Sequence, residues 1–491
     1  MDIIYATATQ LAQMIRNKEV SAVEVLDAYL QQIDRYNGSI NAIATLDVER
    51  AKNRAIEADE ALAKGENWGV LHGVPVTIKD TLETAGLLTT AGYPPLENYI
   101  PSEDATTVAR LKAAGAIILG KTNLSKLAGD YQTNNPLFGQ TNNPWDLERT
   151  VGGSSGGSAS AVAAGFSPLD LGSDVAGSIR LPAHYCGVYG LMPTDRRVPT
   201  TGHIPPLPGQ SQFIRHMLRI GAFARSVADL QLCFSLIAGA DIRQPEIPPV
   251  TEEPTEKQLS ELRIAWTYGV DFLPVSEDTR CCIQTAINRL SDTGCYLEQC
   301  NPTDLDWEEA LALYSAFAGY ELFASASQRG ILSAMWMGIT TELSARIQTT
   351  FKSGTPLSKK GNLAFPPSMA KYKTILTQRD RIMTQMDRFM NQWDAWICPV
   401  SISPAFGHCN FGHSIEVDGV KFPYLLACGG YTMPLNLTGS PVVVIPIGQS
   451  ESGLPIGVQI VGKRWQDIEL LAIANEISSV IGNEQHPYLS L

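Results

Sequence analysis

No uninterrupted apolar run in the sequence approaches the ~18 residues that a membrane-spanning helix requires. The first residues, MDIIYATATQ, carry no basic stretch ahead of an apolar core, so neither a membrane anchor nor a signal peptide is expected. Basic residues are in deficit: 37 lysines and arginines face 50 aspartates and glutamates, a formal net charge of -13. That balance argues against nucleic acid or an anionic membrane surface as a general partner. The nine cysteines are odd in number and scattered without CxxC spacing, and the adjacent Cys281 and Cys282 lack the paired spacing of a zinc site. They read as buried or free thiols of a cytoplasmic protein, and neither a metal nor an organic cofactor is expected. No internal repeat is found.

What is present is an ordinary globular composition, 44% hydrophobic and 18% charged over 491 residues, enough to bury a large core. Ser21-Ala22-Val23-Glu24 is a capping box, and it opens a helix whose apolar stripe, Val23, Leu26, Leu30 and Ile33, runs to Asn37-Gly38. A second helix is expected over 48–64. Val74, Val76 and Ile78 alternate as a strand that ends on Lys79. Residues 106–114 read as a helix and 116–119 as a short buried strand. Helices alternating with buried strands imply an α/β fold, a large mixed sheet covered by helices on both faces. It is taken as a single domain, 1–491, although Gly239–Pro254, rich in proline and acid, has the composition of a boundary. Residues 242–392 read as a mainly helical excursion from the sheet, inserted over the site, with a strand restarting at Ile264-Ala265-Trp266. Its Trp307, Tyr314, Phe317, Tyr320, Phe323 and Met335-Trp336-Met337 could line an acyl or aryl pocket, and each would serve equally as helix-packing core. Strands return at 396–400, 441–447 and 456–461, and a helix over 467–480 closes the chain.

The chemistry is concentrated in 151–194, VGGSSGGSASAVAAGFSPLDLGSDVAGSIRLPAHYCGVYGLMPT. By composition its opening is a flexible linker. The residues after that opening are of another kind: Ala159–Ala164 is helix-forming, Gly165 stands where that helix should stop, and Leu169-Asp170-Leu171 reads as a short strand entering a second glycine turn, Gly172–Ser178. Two serine-bearing glycine turns flanking one helix bring backbone N–H groups and hydroxyls around a small site, where missing Cβ atoms let backbone approach a ligand.

Two other motifs carry competing chemistries. Gly115–Thr122 matches the phosphate loop GxxxxGK[ST], but the AIIL between its glycines is itself a strand, so its N–H donors would be spent in a sheet. Gly152–Gly156 fits the nucleophile elbow GxSxG, yet the preceding 144–149 is polar and turn-like where the elbow wants a strong strand. Downstream, His184 reads as structural, and His408 and His413, in a glycine-rich loop, as solvated.

GGSSGGS, followed in register by LGSD, GSIR, PA, CGV, GL and PT, resembles the signature of the amidase signature family of serine hydrolases. Upstream, Gly73–Asp80, GVPVTIKD, is similar to that family's catalytic-lysine segment. Lys79 and Ser154 are 75 positions apart and Ser154 and Ser178 are 24 apart, spacings the family shows. The likeness is close over 21–227 and looser over 394–477. It implies an amide hydrolase in which Ser178 attacks the carbonyl and passes its proton to Ser154, which relays it to neutral Lys79, and it places the relay serine after a cis peptide bond. It further implies an oxyanion hole from the N–H groups of Val175, Ala176, Gly177 and Ser178, with Ser155, Asp174 and Arg180 in support. A hydroxyl needs a base, and lysine can serve where burial and neighbouring donors depress its pKa. Asp80 lies on the opposite side of the extended chain from Lys79 and reads as a structural acceptor.

The sequence departs from the family pattern in two places. Ala176-Gly177 stands where the family has Gly-Gly, adding a methyl that narrows the turn or the acyl pocket without removing an N–H. Glutaminase subunits of tRNA-dependent amidotransferases carry an aspartate seven residues before an NL[AT]G segment, to hold the glutamine amino group; here that position is Gly429. The expected function is therefore stand-alone hydrolysis of a small, acyl or aryl amide. The alternative is the glutaminase subunit, and a further alternative is a non-catalytic accessory subunit. The partners implied are a small-molecule amide and, at most, a second copy of the chain in a homodimer.

Overall fold

The computed structural model describes residues 2–210, 212, 214–252, 257–323, 368–483 and 485–489. Its frame is one eleven-stranded sheet. In chain order the strands are β1 (Ile43–Leu46), β2 (Pro75–Lys79), β3 (Ile117–Thr122), β4 (Leu169–Asp174), β5 (Tyr189–Met192), β6 (Arg219–Ala224), β7 (Arg263–Trp266), β8 (Tyr296–Gln299), β9 (Ala395–Pro399), β10 (Val442–Gln449) and β11 (Pro455–Val461). They lie side by side as β1-β3-β2-β4-β6-β5-β10-β11-β9-β7-β8. β2 runs parallel to β3 and β4, and β7 to β8 and β9, while the remaining neighbours are antiparallel. The sheet is mixed, as expected.

Side chains alternate between faces along a strand, and here the alternation feeds separate apolar layers. Val443, Ile445 and Ile447 of β10 join one core with Ala395 and Ile397 of β9. Val442 and Trp396 join a second core and Val444 a third. Both faces are thus covered. The helices Val48–Ala63, Val227–Ile237, Glu277–Ser291 and Asp467–Ile481 pack on the first, and Gly156–Ala163 and Arg180–Cys186 on the other. Strands from both sides of 239–254 belong to this one sheet.

Several boundaries move for identifiable reasons. The capping box forms, Ser21 Oγ accepting from Glu24 N–H at 3.0 Å and Glu24 accepting from Ser21 N–H at 2.7 Å. Its helix passes Asn37-Gly38, however, and ends at Ile40 with Asn41 at φ 57°. Asn37 does not break it because its side chain, inside the last turn, accepts from the N–H groups of Ala42 and Ile43. β3 extends through Gly120-Lys121-Thr122, so the apparent phosphate loop is sheet, and its lysine is buried against Leu82 O and the Thr84 and Thr89 hydroxyls. The turn-like 144–149 instead pairs Asp146–Thr150 with Asn142-Asn143 in a small ribbon.

Among the described residues of 242–392, helices outnumber strands, and the excursion begins in the sheet. Arg263–Trp266, the helix Glu277–Ser291 and Tyr296–Gln299 form a β-α-β unit that adds a parallel edge to the main sheet. Only then come the helices Trp307–Phe323 and Met369–Met390, and the first touches the site through Tyr314. Trp307, Tyr314 and Phe317 are buried in the second core with Trp396 and Tyr431, which favours the packing reading for Trp307 and Phe317. Met335, Trp336 and Met337 lie outside the described residues.

Candidate active site

Parallel pairing of β2 with β4 sets Ile78 opposite Leu171, so the lysine that ends β2 arrives beside the last residues of β4. Lys79 is fully buried, its Nζ 2.7 Å from Ser154 Oγ and 2.9 Å from Ser173 Oγ. The Gly153-Ser154 peptide is cis. β4 runs on through Gly172-Ser173-Asp174, so the second glycine turn is shorter than its sequence implied. It spans 175–178 and delivers Ser178 to the N-terminal side of the helix Arg180–Cys186. Ser155 N–H donates to Ser178 O at 3.3 Å, and Ser155 Oγ donates to Ser173 O at 3.1 Å. Ser155 therefore ties the two serine turns together through backbone, rather than donating to the Lys79 amine.

Burial is graded across the three expected catalytic residues: Lys79 is 0% exposed, Ser154 1% and Ser178 8%. Ser178 is the one that reaches a narrow surface cleft whose walls include Asp130, Tyr131, Phe411, Leu425 and Met433, with Ala176 beside it. A larger cavity lies among Tyr5, Arg225 and His486, and Lys79, Ser154 and Ser178 do not line it.

Burial pushes the Lys79 ammonium down to about 7, from an ordinary value near 10.5, while Asp174 and Asp170 act in the opposite sense. Asp174 is itself fully buried. Burial alone would raise its carboxyl, but the Arg180 guanidinium holds it well below the usual carboxylate range. Arg180 is saturated: Nε and Nη2 donate to Asp174 at 3.1 and 3.0 Å, Nη1 to Thr432 O and Gln459 Oε1 at 3.0 Å each, and Nη2 also to Asn436 Oδ1. Removing one partner would leave a charge buried without compensation. Asp174→Asn and Arg180→Met should each cost about 3–5 kcal/mol of stability in a denaturant titration. A loss below ~1 kcal/mol, the range of an exposed pair, would contradict this.

The turn 175–178 is held from behind. Tyr314 Oη donates to Val175 O at 3.2 Å, and Tyr131 Oη and Thr432 Oγ1 donate to Ala176 O at 2.8 and 2.5 Å. Gly177 has φ +123°, and a Cβ there would stand 2.8 Å from Thr432 Cβ, so only glycine fits. One expectation fails: Gly177 N–H donates to Asp174 Oδ1 at 2.8 Å and is not free for a substrate oxygen. Among the described residues, the N–H groups of Val175, Ala176 and Ser178 have no protein acceptor.

The three histidines weighed in the sequence, His184, His408 and His413, do not touch Lys79, Ser154 or Ser178. His184 accepts from Gly457 N–H at Nδ1 (2.7 Å) and so donates from Nε2 to Ser403 O (3.1 Å), a buried structural ring pushed down to about 4 by burial. His413 is exposed. Asp80 accepts from Thr90 N–H and Oγ1–H at 3.0 and 2.6 Å, the structural acceptor expected. Sequence reasoning missed Tyr131, Thr432, Asn436 and Gln459, which hold the serine turn from distant segments. It also missed His203, buried with Nε2 3.0 Å from Ser173 Oγ.

The mixed sheet, the buried lysine and the two serine-bearing glycine turns at its strand ends belong to an enzyme that acts on amide C–N bonds, a class given by the family match. A family model described as Amidase matches residues 24–471, and the chain belongs to the amidase signature family. It is 34% identical over 498 residues to a subunit of the glutamyl-tRNA(Gln) amidotransferase of Carboxydothermus hydrogenoformans, covering 97% of both chains. In structure it is similar to a chain of a vestigial complex bearing on the origins of an s-triazine catabolic enzyme, with TM-score 0.79, 29% identity, and 98% and 100% of the two chains covered. It is also similar to 6-aminohexanoate cyclic dimer hydrolase, with TM-score 0.78, 25% identity, and 99% of each chain covered. No helix among the described residues is long and apolar enough to cross a membrane.

Proposed function

We propose that the chain hydrolyses amides through an acyl-enzyme on Ser178, with Ser154 as proton relay and Lys79 as base. The observation that supports this most is Lys79 itself, buried 2.7 Å from the Ser154 hydroxyl and depressed to about 7, so that much of it is neutral at physiological pH. Ser178 Oγ bonds to the carbonyl carbon as its proton passes through Ser154 to the amine of Lys79. The C–N bond breaks as the leaving amine takes a proton back from Ser154, and water then releases the acyl group. The N–H groups of Val175, Ala176 and Ser178 stabilise the oxyanion, each such donor being worth about 2.7–4 kcal/mol.

The cleft supports an apolar acyl group. Phe411, Leu425 and Met433 line it, and Ala176 narrows it. Gly429 supplies no carboxylate, and a Cβ there would stand 2.6 Å from Met433 Cε and 2.8 Å from Tyr131 Cζ. These features favour a stand-alone amide hydrolase. The second reading, a glutaminase subunit, is favoured by the amidotransferase relative at 34% identity. Under it the partners are the other subunits of an amidotransferase, not a second copy of this chain. The purified chain, assayed on aliphatic amides, aryl amides and glutamine, should turn over apolar-acyl amides without preference for glutamine and without loss in chelator. Activity confined to glutamine would move the assignment to the second reading, and turnover of no amide to an accessory subunit.

A further inference from the structure

His203 belongs to neither serine-bearing glycine turn, yet its loop is fastened to the residues that follow the lysine strand. His203 bridges Leu82, and Ile204 N–H donates to Thr81 O at 2.7 Å. The ring is buried between two fixed partners: Nδ1 lies 3.1 Å from Pro205 O, and Nε2 lies 3.0 Å from Ser173 Oγ. A carbonyl oxygen only accepts, so Nδ1 carries the proton and Nε2 of the neutral ring is bare. Burial keeps the ring neutral, pushing its pKa down to about 3, with the Lys79 charge acting in the same direction. Ser173 must then donate to Nε2, which leaves its oxygen lone pairs to accept from Lys79 Nζ at 2.9 Å.

We propose that His203 is a positioning residue for the proton relay, acting through Ser173 to aim the lone pair of neutral Lys79 at Ser154. A neutral amine has two N–H donors and one lone pair. Because Ser173 can only accept from the amine, one N–H is spent there and the lone pair is left for the Ser154 hydroxyl. Without the acceptor at Nε2, the Ser173 hydroxyl turns and donates to that lone pair, and Ser154 loses its base. The proposal rests on Lys79 being the base, and its test keeps the two apart.

The rings and side chains facing Lys79 are Ser154, Ser173, Asp174 and Asp170, with His203 behind Ser173. The experiment is kcat and KM against pH on one activated aryl amide, for wild type, His203→Phe, His203→Gln, Ser173→Ala and the Ser173→Ala/His203→Phe pair. His203→Phe keeps the ring volume but offers no acceptor. It should lower kcat roughly tenfold, within the range contacting groups span, with KM unchanged. Its acid limb should move to lower pH, because a hydroxyl donating to the amine favours the neutral form. Gln, whose carbonyl oxygen can take the Ser173 proton, should restore most of the rate. In the Ser173→Ala background His203→Phe should cost nothing further. Should neither His203 variant fold, Ser173→Ala alone must still shift the acid limb downward, since the ammonium has lost an acceptor. A wild-type rate and pH profile in His203→Phe would overturn the proposal, as would an equal loss in both backgrounds. An active Lys79→Ala would instead remove the reading beneath it.

Discussion

Ser178→Ala should abolish amide hydrolysis, leaving a rate ~10⁴-fold or more below wild type, as removal of a nucleophile does in other serine hydrolases. It should also end covalent labelling by a fluorophosphonate probe. Ser178 stands on the wall of the cleft, whereas Ser154 is 1% exposed and engaged by Lys79. Ser155 is buried, its hydroxyl committed to Ser173 O. An electrophile entering the cleft therefore meets the Ser178 hydroxyl first. The variant should keep its fold, because the neighbouring contacts that hold the turn, from Tyr131, Thr432 and Asp174, go to its backbone. Labelling that persists on Ser154 or Ser155 would support the elbow reading of GGSSG instead.

Lys79→Ala should lower turnover by about 10²–10⁴-fold, the contribution of a positioned general base. Among the described residues, nothing near Ser154 can replace it. The histidine closest to the pair, His203, reaches Ser173 and has its remaining nitrogen on Pro205 O. His184 is spent on Gly457 and Ser403. His184→Ala should accordingly cost stability, about 1–3 kcal/mol for the buried groups left unpaired, and leave the rate of the folded fraction intact. His413→Ala, at an exposed position, should change neither, and His408→Ala should leave the rate unchanged. A histidine variant as inactive as Lys79→Ala would end the lysine-relay mechanism.

The parts of this site legible in the sequence are the local ones. The end of the strand at Lys79 follows from the alternation of Val74, Val76 and Ile78, and the helix after Ser154 from Ala159–Ala164 and its glycine stop. The roles of Ser154 and Ser178 rest on a family resemblance that spacing alone does not supply. What stayed hidden depends on pairings distant in sequence. Arg180 and Asp174 could be named, but not that Asn436, Thr432 and Gln459 complete the arginine's hydrogen bonds from positions more than 250 residues later. The family resemblance implied Gly177 as an oxyanion donor, and only the structure shows Asp174 accepting from its N–H. The β-α-β edge at 263–299 was obscured because Tyr296–Gln299, at the sheet border, lacks the buried apolar run that marks an interior strand.

The central claim is that Lys79 works as a neutral base, and its most direct test is kcat/KM against pH for wild type and Lys79→Ala on one activated amide. The working form is deprotonated, so the rate should rise with pH below about 7 and level off above it, where an unburied lysine would still be charged. The mutant control is needed because Asp170 and Asp80 are also buried nearby, each pushed up to about 6 by burial. If Lys79 is the base, the acid limb vanishes in Lys79→Ala along with the rate. An acid limb that survives unchanged in the variant would mean that another group titrates there, and would contradict the role assigned to this lysine.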